Sequence, residues 1–88
     1  MAWTIELLDT ARRDLRKLDR QGARRIRDFL HLRVAAAENP RSLGHALTGP
    51  LKGLWRYRVG DYRIVCDIRD DKLVVLVIEI GHRREIYR

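Results

Sequence analysis

The sequence predicts an α+β fold in which two N-terminal helices pack on one face of a small, mostly antiparallel sheet, in the order βααβββ. Two observations lead to this prediction. Apolar residues recur at helical spacing in the first half of the chain and alternate at strand spacing in the second half. Within the alternating half, Gly60-Asp61 is a two-residue hairpin signal, because the turn needs a positive φ that glycine supplies. The 88 residues contain no linker or repeat, so we expect a single domain over residues 1–88.

The first half predicts one strand followed by a pair of helices. Residues 3–8 are short and apolar, which is typical of a strand. Asp9 or Thr10 follows and can cap the first helix, since either side chain can accept a hydrogen bond from a free N–H. Gln21-Gly22 interrupts the helical pattern, and a second helix is predicted over residues 23–37. Pro40 then prevents the helix from continuing.

The second half predicts a loop over residues 41–53 and strands over residues 54–59, 62–68 and 73–80. Asp70-Asp71 fits a turn between the last two strands. Strict alternation in the last strand places Val74, Leu76, Ile78 and Ile80 on one face and Val75 and Val77 on the other. A strand that is apolar on both faces usually lies inside a sheet.

The hairpin register brings three arginines to one face of the sheet. If Val59 pairs with Tyr62, then Arg58 lies opposite Arg63, and alternation adds Arg56. We call these three residues the arginine face. The opposite face is apolar and forms half of a core, with Trp55, Tyr57, Val59, Tyr62, Ile64 and Cys66. Like charges paired across a sheet are destabilising, which favours a bound anion there. A solvated face whose arginines reach carboxylates such as Asp67 is the other interpretation.

Composition narrows the classes of partner. The net charge is +7 and the pI is about 10.5, which suggests nucleic acid, an acidic protein or an anionic membrane surface. No apolar run approaches the roughly 20 residues of a membrane span, and the N-terminal residues lack the basic region of a signal peptide. The single cysteine, Cys66, falls on the predicted core face, where a buried and inert thiol is expected. The cytoplasm is the expected compartment.

Most catalytic motifs are missing from the sequence. The histidines His31, His45 and His82 are scattered, and no Cys/His spacing resembles a zinc site. No pair of carboxylates is placed convincingly for a magnesium-dependent nuclease, and there is no glycine-rich phosphate loop. We therefore expect neither a metal ion nor a cofactor.

The remaining arginine, lysine, tyrosine and histidine side chains suit metal-independent cleavage of RNA. In that reaction the ribose 2′-OH attacks its own phosphate, so the protein orients the backbone, neutralises the developing charge and moves protons. Planar guanidinium groups match phosphate oxygens. Arginine is a poor general base, so Tyr87 and His82 are the candidates for proton transfer, although a packed ring and a surface histidine without a role are the other interpretations.

Two segments resemble the RelE branch of the RelE/ParE toxin superfamily. They are residues 51–65, Leu-Lys-Gly-Leu-Trp-Arg-Tyr-Arg-Val-Gly-Asp-Tyr-Arg-Ile-Val, and residues 81–87, Gly-His-Arg-Arg-Glu-Ile-Tyr. The resemblance covers nearly the whole chain and implies a RelE-like fold. It also implies a bacterial type II toxin that cleaves mRNA in the ribosomal A site. A cognate RelB-like antitoxin would be its protein partner, and operator DNA would be bound only through the complex with that antitoxin.

The resemblance also implies a set of site residues. The implied catalytic residues are Arg56, Arg58, Arg63, Arg83 and Tyr87. Further contacts with messenger or ribosomal RNA are implied for Lys52, His82 and Arg84. The best-known member of the family has lysines where this chain has Arg56 and Arg58, which leaves the assignment of acid and base open.

Two other functions stay open at this point. ParE-type relatives with the same fold are associated with inhibition of DNA gyrase and lack the nuclease residues. A decayed toxin that only binds its antitoxin and operator DNA is a third possibility, although the complete set of arginines and tyrosine argues against decay.

Overall fold

The structure is a computed structural model, and it describes residues 3–82. Its elements follow the predicted order, with one additional short strand. They are β1 (Thr4–Leu7), α1 (Asp9–Lys17), α2 (Arg20–Asp28), β2 (His45–Ala46), β3 (Trp55–Val59), β4 (Tyr62–Arg69) and β5 (Val74–His82). α2 continues as a π-helical segment over Phe29–Val34, and the 3₁₀ turns Pro40–Leu43 and Gly49–Leu51 flank β2.

The sheet has five strands in the order β1-β5-β4-β3-β2. Neighbouring strands are antiparallel except for β1, which runs parallel to β5 at one edge. A parallel neighbour needs a long crossover, and the two helices lie within the connection that leaves β1. The predicted α+β architecture with a mostly antiparallel sheet is confirmed.

The core lies between the helices and one face of the sheet. Leu30 and Val34 pack there with Tyr57 and Cys66, and all four are at most 1% exposed. The Tyr57 hydroxyl donates to the carbonyl oxygen of Pro40 at 2.8 Å, so its polar group is satisfied although it is buried. Burial raises the pKa of the Tyr57 phenol and of the Cys66 thiol, which keeps both groups neutral. The predicted core position of Cys66 is confirmed.

The break between the helices falls at Asp19, not at Gly22 as the sequence predicted. Asp19 caps α2 by accepting from the N–H of Gly22 at 3.2 Å, and it also accepts from the hydroxyl of Tyr62 at 3.0 Å. These two bonds hold the pKa of Asp19 below its usual value. Gly22 lies inside α2, where an added Cβ would come within 2.7 Å of the Tyr62 hydroxyl oxygen. The glycine permits close packing and does not end a helix.

The predicted alternation along β5 is wrong beyond Val77. Val65 pairs with Glu79 whereas Cys66 pairs with Val77, so one residue of β5 bulges out at this point. The bulge turns Ile80 into the core beside Val77, instead of onto the opposite face.

Helix α1 binds the backbone groups of this bulge. The Asp14 carboxylate accepts from the N–H of Ile80 at 3.0 Å, and the Thr10 hydroxyl donates to the carbonyl oxygen of Ile78 at 2.8 Å. The predicted cap of α1 by Asp9 or Thr10 is therefore wrong. The N-cap position is Leu8, which makes no capping side-chain bond, and Thr10 instead ties α1 to the sheet.

Replacing Asp14 with alanine is expected to lower the free energy of unfolding by about 1–3 kcal/mol, because the part-buried N–H of Ile80 would lose its acceptor. Asp14→Asn keeps an acceptor oxygen of similar reach, so its free energy of unfolding is expected to fall by less. Urea denaturation followed by tryptophan fluorescence measures both variants. Equal losses in the two variants would show that this hydrogen bond does not hold the bulge.

Candidate active site

A tight turn at Gly60-Asp61 joins β3 to β4. Gly60 has a φ of 59°, in the region that only glycine adopts freely. Val59 pairs with Tyr62 and Arg58 pairs with Arg63, which confirms the predicted register of the hairpin. The turn therefore sets the register that places Arg58 directly opposite Arg63.

The three members of the arginine face differ in exposure. Arg58 is exposed and Arg56 is half-buried, but Arg63 is only 4% exposed. The Nη1 atom of Arg63 donates to the carbonyl oxygen of Tyr62 at 3.3 Å. The burial of Arg63 was not expected from the alternation of the strand. A ligand that approaches this face therefore contacts the exposed side chain of Arg58 and the half-buried side chain of Arg56.

Asp67, which the sequence suggested as a partner for the arginine face, forms an ion pair with Arg69 instead. Asp67 accepts from the Nε atom of Arg69 at 3.1 Å, and both residues lie on β4. Asp70, in the turn after β4, forms a two-pronged ion pair with Arg41 at 2.8 and 2.9 Å. This pair lowers the pKa of Asp70 and fixes the 3₁₀ turn that precedes β2.

Sequence reasoning missed a histidine beside the arginine face. The short strand β2 pairs with β3 and places His45 directly opposite Arg56. Paired residues of antiparallel strands point to the same face, so His45 extends the arginine face toward the edge of the sheet. His45 is exposed. A strand of two residues is too short to show alternation, and the sequence of the predicted loop contains no other pattern that indicates β2.

The structure separates His82 from the arginine face. His82 pairs with Tyr62, whose side chain lies on the helical side of the sheet, and the two rings meet edge to face at 5.7 Å. Lys52 is exposed in the turn that leads into β3, outside the hairpin. The remaining predicted site residues, Arg83, Arg84 and Tyr87, lie outside the described residues.

A cavity of about 610 Å³ lies on the helical side, near the ends of α1 and β5. Its lining includes Asp14 and Asp19, whose carboxylates would repel a phosphate backbone. Within residues 3–82 there is no cluster of three or more His, Cys, Asp or Glu side chains that could hold a metal ion. None of the helices in this part of the chain is long and apolar enough to cross a membrane.

The arginine face can bind and neutralise an anion. Guanidinium groups present paired N–H donors that fit two oxygens of one phosphate, and they stay charged at any physiological pH. For the same reason they cannot accept a proton. A reaction on this face that moves protons therefore needs a group other than Arg56, Arg58 or Arg63.

Comparisons with known proteins identify the family. The family described as ParE toxin of type II toxin-antitoxin system, parDE, matches residues 5–87. Toxin RelG from Mycobacterium tuberculosis is 32% identical over 88 residues, which is all of this chain and 99% of RelG. Toxin RelE from the same organism is 36% identical over 84 residues, covering 96% of this chain and 84% of that toxin.

Solved structures show the same fold. The toxin-antitoxin complex RelBE2 from Mycobacterium tuberculosis contains a chain that matches with a TM-score of 0.86 and 29% identity, covering 94% of this chain and 93% of that one. A variant of the Escherichia coli toxin RelE in the free state matches with a TM-score of 0.75 and 27% identity, covering 97% and 87% respectively. The family match, the curated toxins and these structures agree, and the chain belongs to the RelE/ParE superfamily as a RelE-type toxin of a type II toxin–antitoxin system.

Proposed function

We propose that this toxin is an endoribonuclease that cleaves mRNA on the ribosome, without a metal ion, and thereby inhibits translation. The observation that supports this most strongly is the cross-strand pair Arg58–Arg63 with Arg56 on the same face. A sheet that places like charges opposite each other loses stability, so the arrangement is best explained by an anionic ligand. A phosphate backbone supplies that charge in a repeating form.

In the proposed reaction the ribose 2′-OH attacks the adjacent phosphorus atom and displaces the 5′-oxygen of the next nucleotide. Arg63 and Arg83 clamp the scissile phosphate and stabilise its developing charge. Arg56 and Arg58 hold the RNA backbone, and Tyr87 orients the 2′-OH or stacks on a base. Because Arg63 is 4% exposed, its role requires the side chain to become accessible when RNA binds.

The ribosome supplies the context for cleavage in this proposal. The toxin has 88 residues, which leaves little surface for reading sequence in addition to holding a phosphate backbone. Lys52 and Arg84 are proposed as further contacts with messenger or ribosomal RNA. His82 is not included, because it lies beside Tyr62 on the helical side of the sheet. The toxin would act in the cytoplasm, where mRNA is translated.

The proposed protein partner is a cognate RelB-like antitoxin, and operator DNA would be reached only through that complex. A groove of about 290 Å³ between β1, α1 and the end of α2 is suited to such a partner. Leu7, Leu15 and Leu30 line it together with Arg12, Arg16, Arg27 and His31, and the three arginines give it a cationic rim. An apolar groove with a cationic rim fits a segment that carries both apolar and acidic residues.

Inhibition of DNA gyrase is the second candidate, because the matching family is described as a ParE toxin. The two candidates give different products in cells. Brief expression of a nuclease is expected to shorten translated mRNAs and leave plasmid supercoiling unchanged, whereas a gyrase inhibitor relaxes plasmids and induces a DNA-damage response. Northern blots and chloroquine gels from the same cultures separate these outcomes. Relaxed plasmids with intact mRNA would overturn the proposed nuclease.

A further inference from the structure

We propose that His45 is the general base of this toxin and takes the proton from the attacking 2′-OH. The proposal rests on the nuclease function proposed above. It adds a residue from the short strand β2 to the site, where the sequence predicted only a loop.

The position of His45 follows from the pairing of β2 with β3. His45 is the direct partner of Arg56, and Ala46 is the partner of Trp55. Directly opposed residues have Cβ atoms about 4.5–5.5 Å apart, so the imidazole and the Arg56 guanidinium lie within reach of one RNA phosphate group and its ribose. His45 is exposed, so RNA can approach it without a change in the fold.

The arginines of the site do not supply such a group. The arginines of β3 and β4 cannot accept a proton, whereas imidazole exchanges protons near neutral pH. Neither of the other two histidines can substitute for His45. His82 lies on the helical side of the sheet beside Tyr62, and His31 lies in the groove between the helices.

The charges that face His45 are mainly positive. Arg56 and Arg58 lie on the adjacent strand β3, and Asp67 on β4 is already ion-paired with Arg69. Glu79 on β5 pairs with Val65 and shares this face, but it lies two strands beyond β3. The imidazole therefore lies beside two guanidinium groups that would hold the phosphate next to the attacking 2′-OH.

The proton balance of the step is complete without a co-reactant. The 2′-oxygen bonds to phosphorus while its proton passes to the free ring nitrogen of His45, and the bond from phosphorus to the 5′-oxygen breaks. The 5′-oxygen then leaves with a proton from solvent or from another side chain. The products are a 2′,3′-cyclic phosphate and a 5′-hydroxyl end.

Single-turnover cleavage of ribosome-bound mRNA between pH 5.5 and 8.5 tests this assignment. For the wild type, the rate is expected to fall as the pH drops below neutrality, because the base becomes protonated. His45→Gln is expected to cut on the order of 10²-fold more slowly and to lose this acidic limb. Lys72→Gln, at an exposed position in the turn between β4 and β5, is the matched control and is expected to behave like the wild type.

A second variant separates chemistry from positioning. His45→Ala removes an exposed side chain, and added imidazole is expected to restore part of its rate. If the wild type cuts and His45→Gln matches it in rate and pH profile, the assignment to His45 is overturned while the nuclease stands. The assignment would also be overturned if His45→Gln cuts slowly but keeps the acidic limb of the pH profile, and imidazole does not restore the rate of His45→Ala. If the wild type itself does not cut, the nuclease function fails and the assignment fails with it.

Discussion

Replacing Arg58 with alanine is expected to slow ribosome-dependent mRNA cleavage on the order of 10²-fold, because an exposed guanidinium that holds the phosphate would be lost. Arg58→Lys keeps the charge but not the two-pronged geometry, and it is expected to lie between alanine and the wild type. Rates of single-turnover cleavage by primer extension measure the series.

The same substitution has an unusual expected effect on stability. Arg58 faces Arg63 across the hairpin, so Arg58→Ala removes a pair of like charges and is expected to leave the melting temperature unchanged or raised. Arg69→Ala is the matched control on the same sheet, because Arg69 is also exposed and pairs with Asp67. Its cleavage rate is expected to stay within about 2-fold of the wild type. Equal losses of cleavage rate in Arg58→Ala and Arg69→Ala would show that only the overall charge of the toxin affects cleavage.

Reversing two charges at the rim of the groove is expected to weaken antitoxin binding on the order of 10²-fold, because the acidic segment would meet acidic side chains. The double variant Arg12→Glu with Arg16→Glu makes this change on α1. Cleavage by the free toxin is expected to be unchanged, since the groove lies on the helical side of the sheet. Calorimetric titration with the cognate antitoxin at two salt concentrations measures the affinity.

A second double variant controls for net charge. Arg20→Glu with Arg24→Glu alters the charge by the same amount on exposed positions of α2 that do not line the groove. This variant is expected to bind the antitoxin almost as well as the wild type. Equal weakening by both double variants would show a general loss of attraction. If neither variant weakens binding, the antitoxin does not use this groove.

The hairpin that bears the arginine face was predictable because its register depends only on local sequence. Gly60 supplies the positive φ of the turn, and the two residues of the turn fix every pair that follows, including Arg58 with Arg63. The exposure of these residues was not predictable. Burial depends on what the rest of the chain places over the sheet, and for Arg63 it leaves only 4% of the residue exposed.

The errors in the fold have a common physical origin. Gly22 and Ile80 were assigned from local patterns, but both positions are decided by contacts with distant residues. A Cβ at position 22 would crowd the Tyr62 hydroxyl oxygen, and Asp14 on α1 stabilises the bulge that turns Ile80 into the core. His45 was missed for a related reason, because a strand of two residues is defined by its partner and not by its own sequence.

The family followed from the sequence, whereas the proton-transfer group that we propose did not. The resemblance suggested Tyr87, and the pattern along the strands contained only arginines. The pairing of β2 with β3 added an imidazole beside them. The roles of Arg83, Arg84 and Tyr87 stay predictions, since these residues lie outside the described part of the chain.

The most direct test of the proposed function is primer extension on a defined mRNA in a bacterial translation extract to which the purified toxin is added. The same mRNA without ribosomes is the control. We expect cuts at codon-phased positions only when ribosomes are present, without any requirement for added metal beyond what translation needs. Cuts on free RNA would contradict ribosome dependence, and an intact mRNA with an active toxin preparation would contradict the nuclease itself.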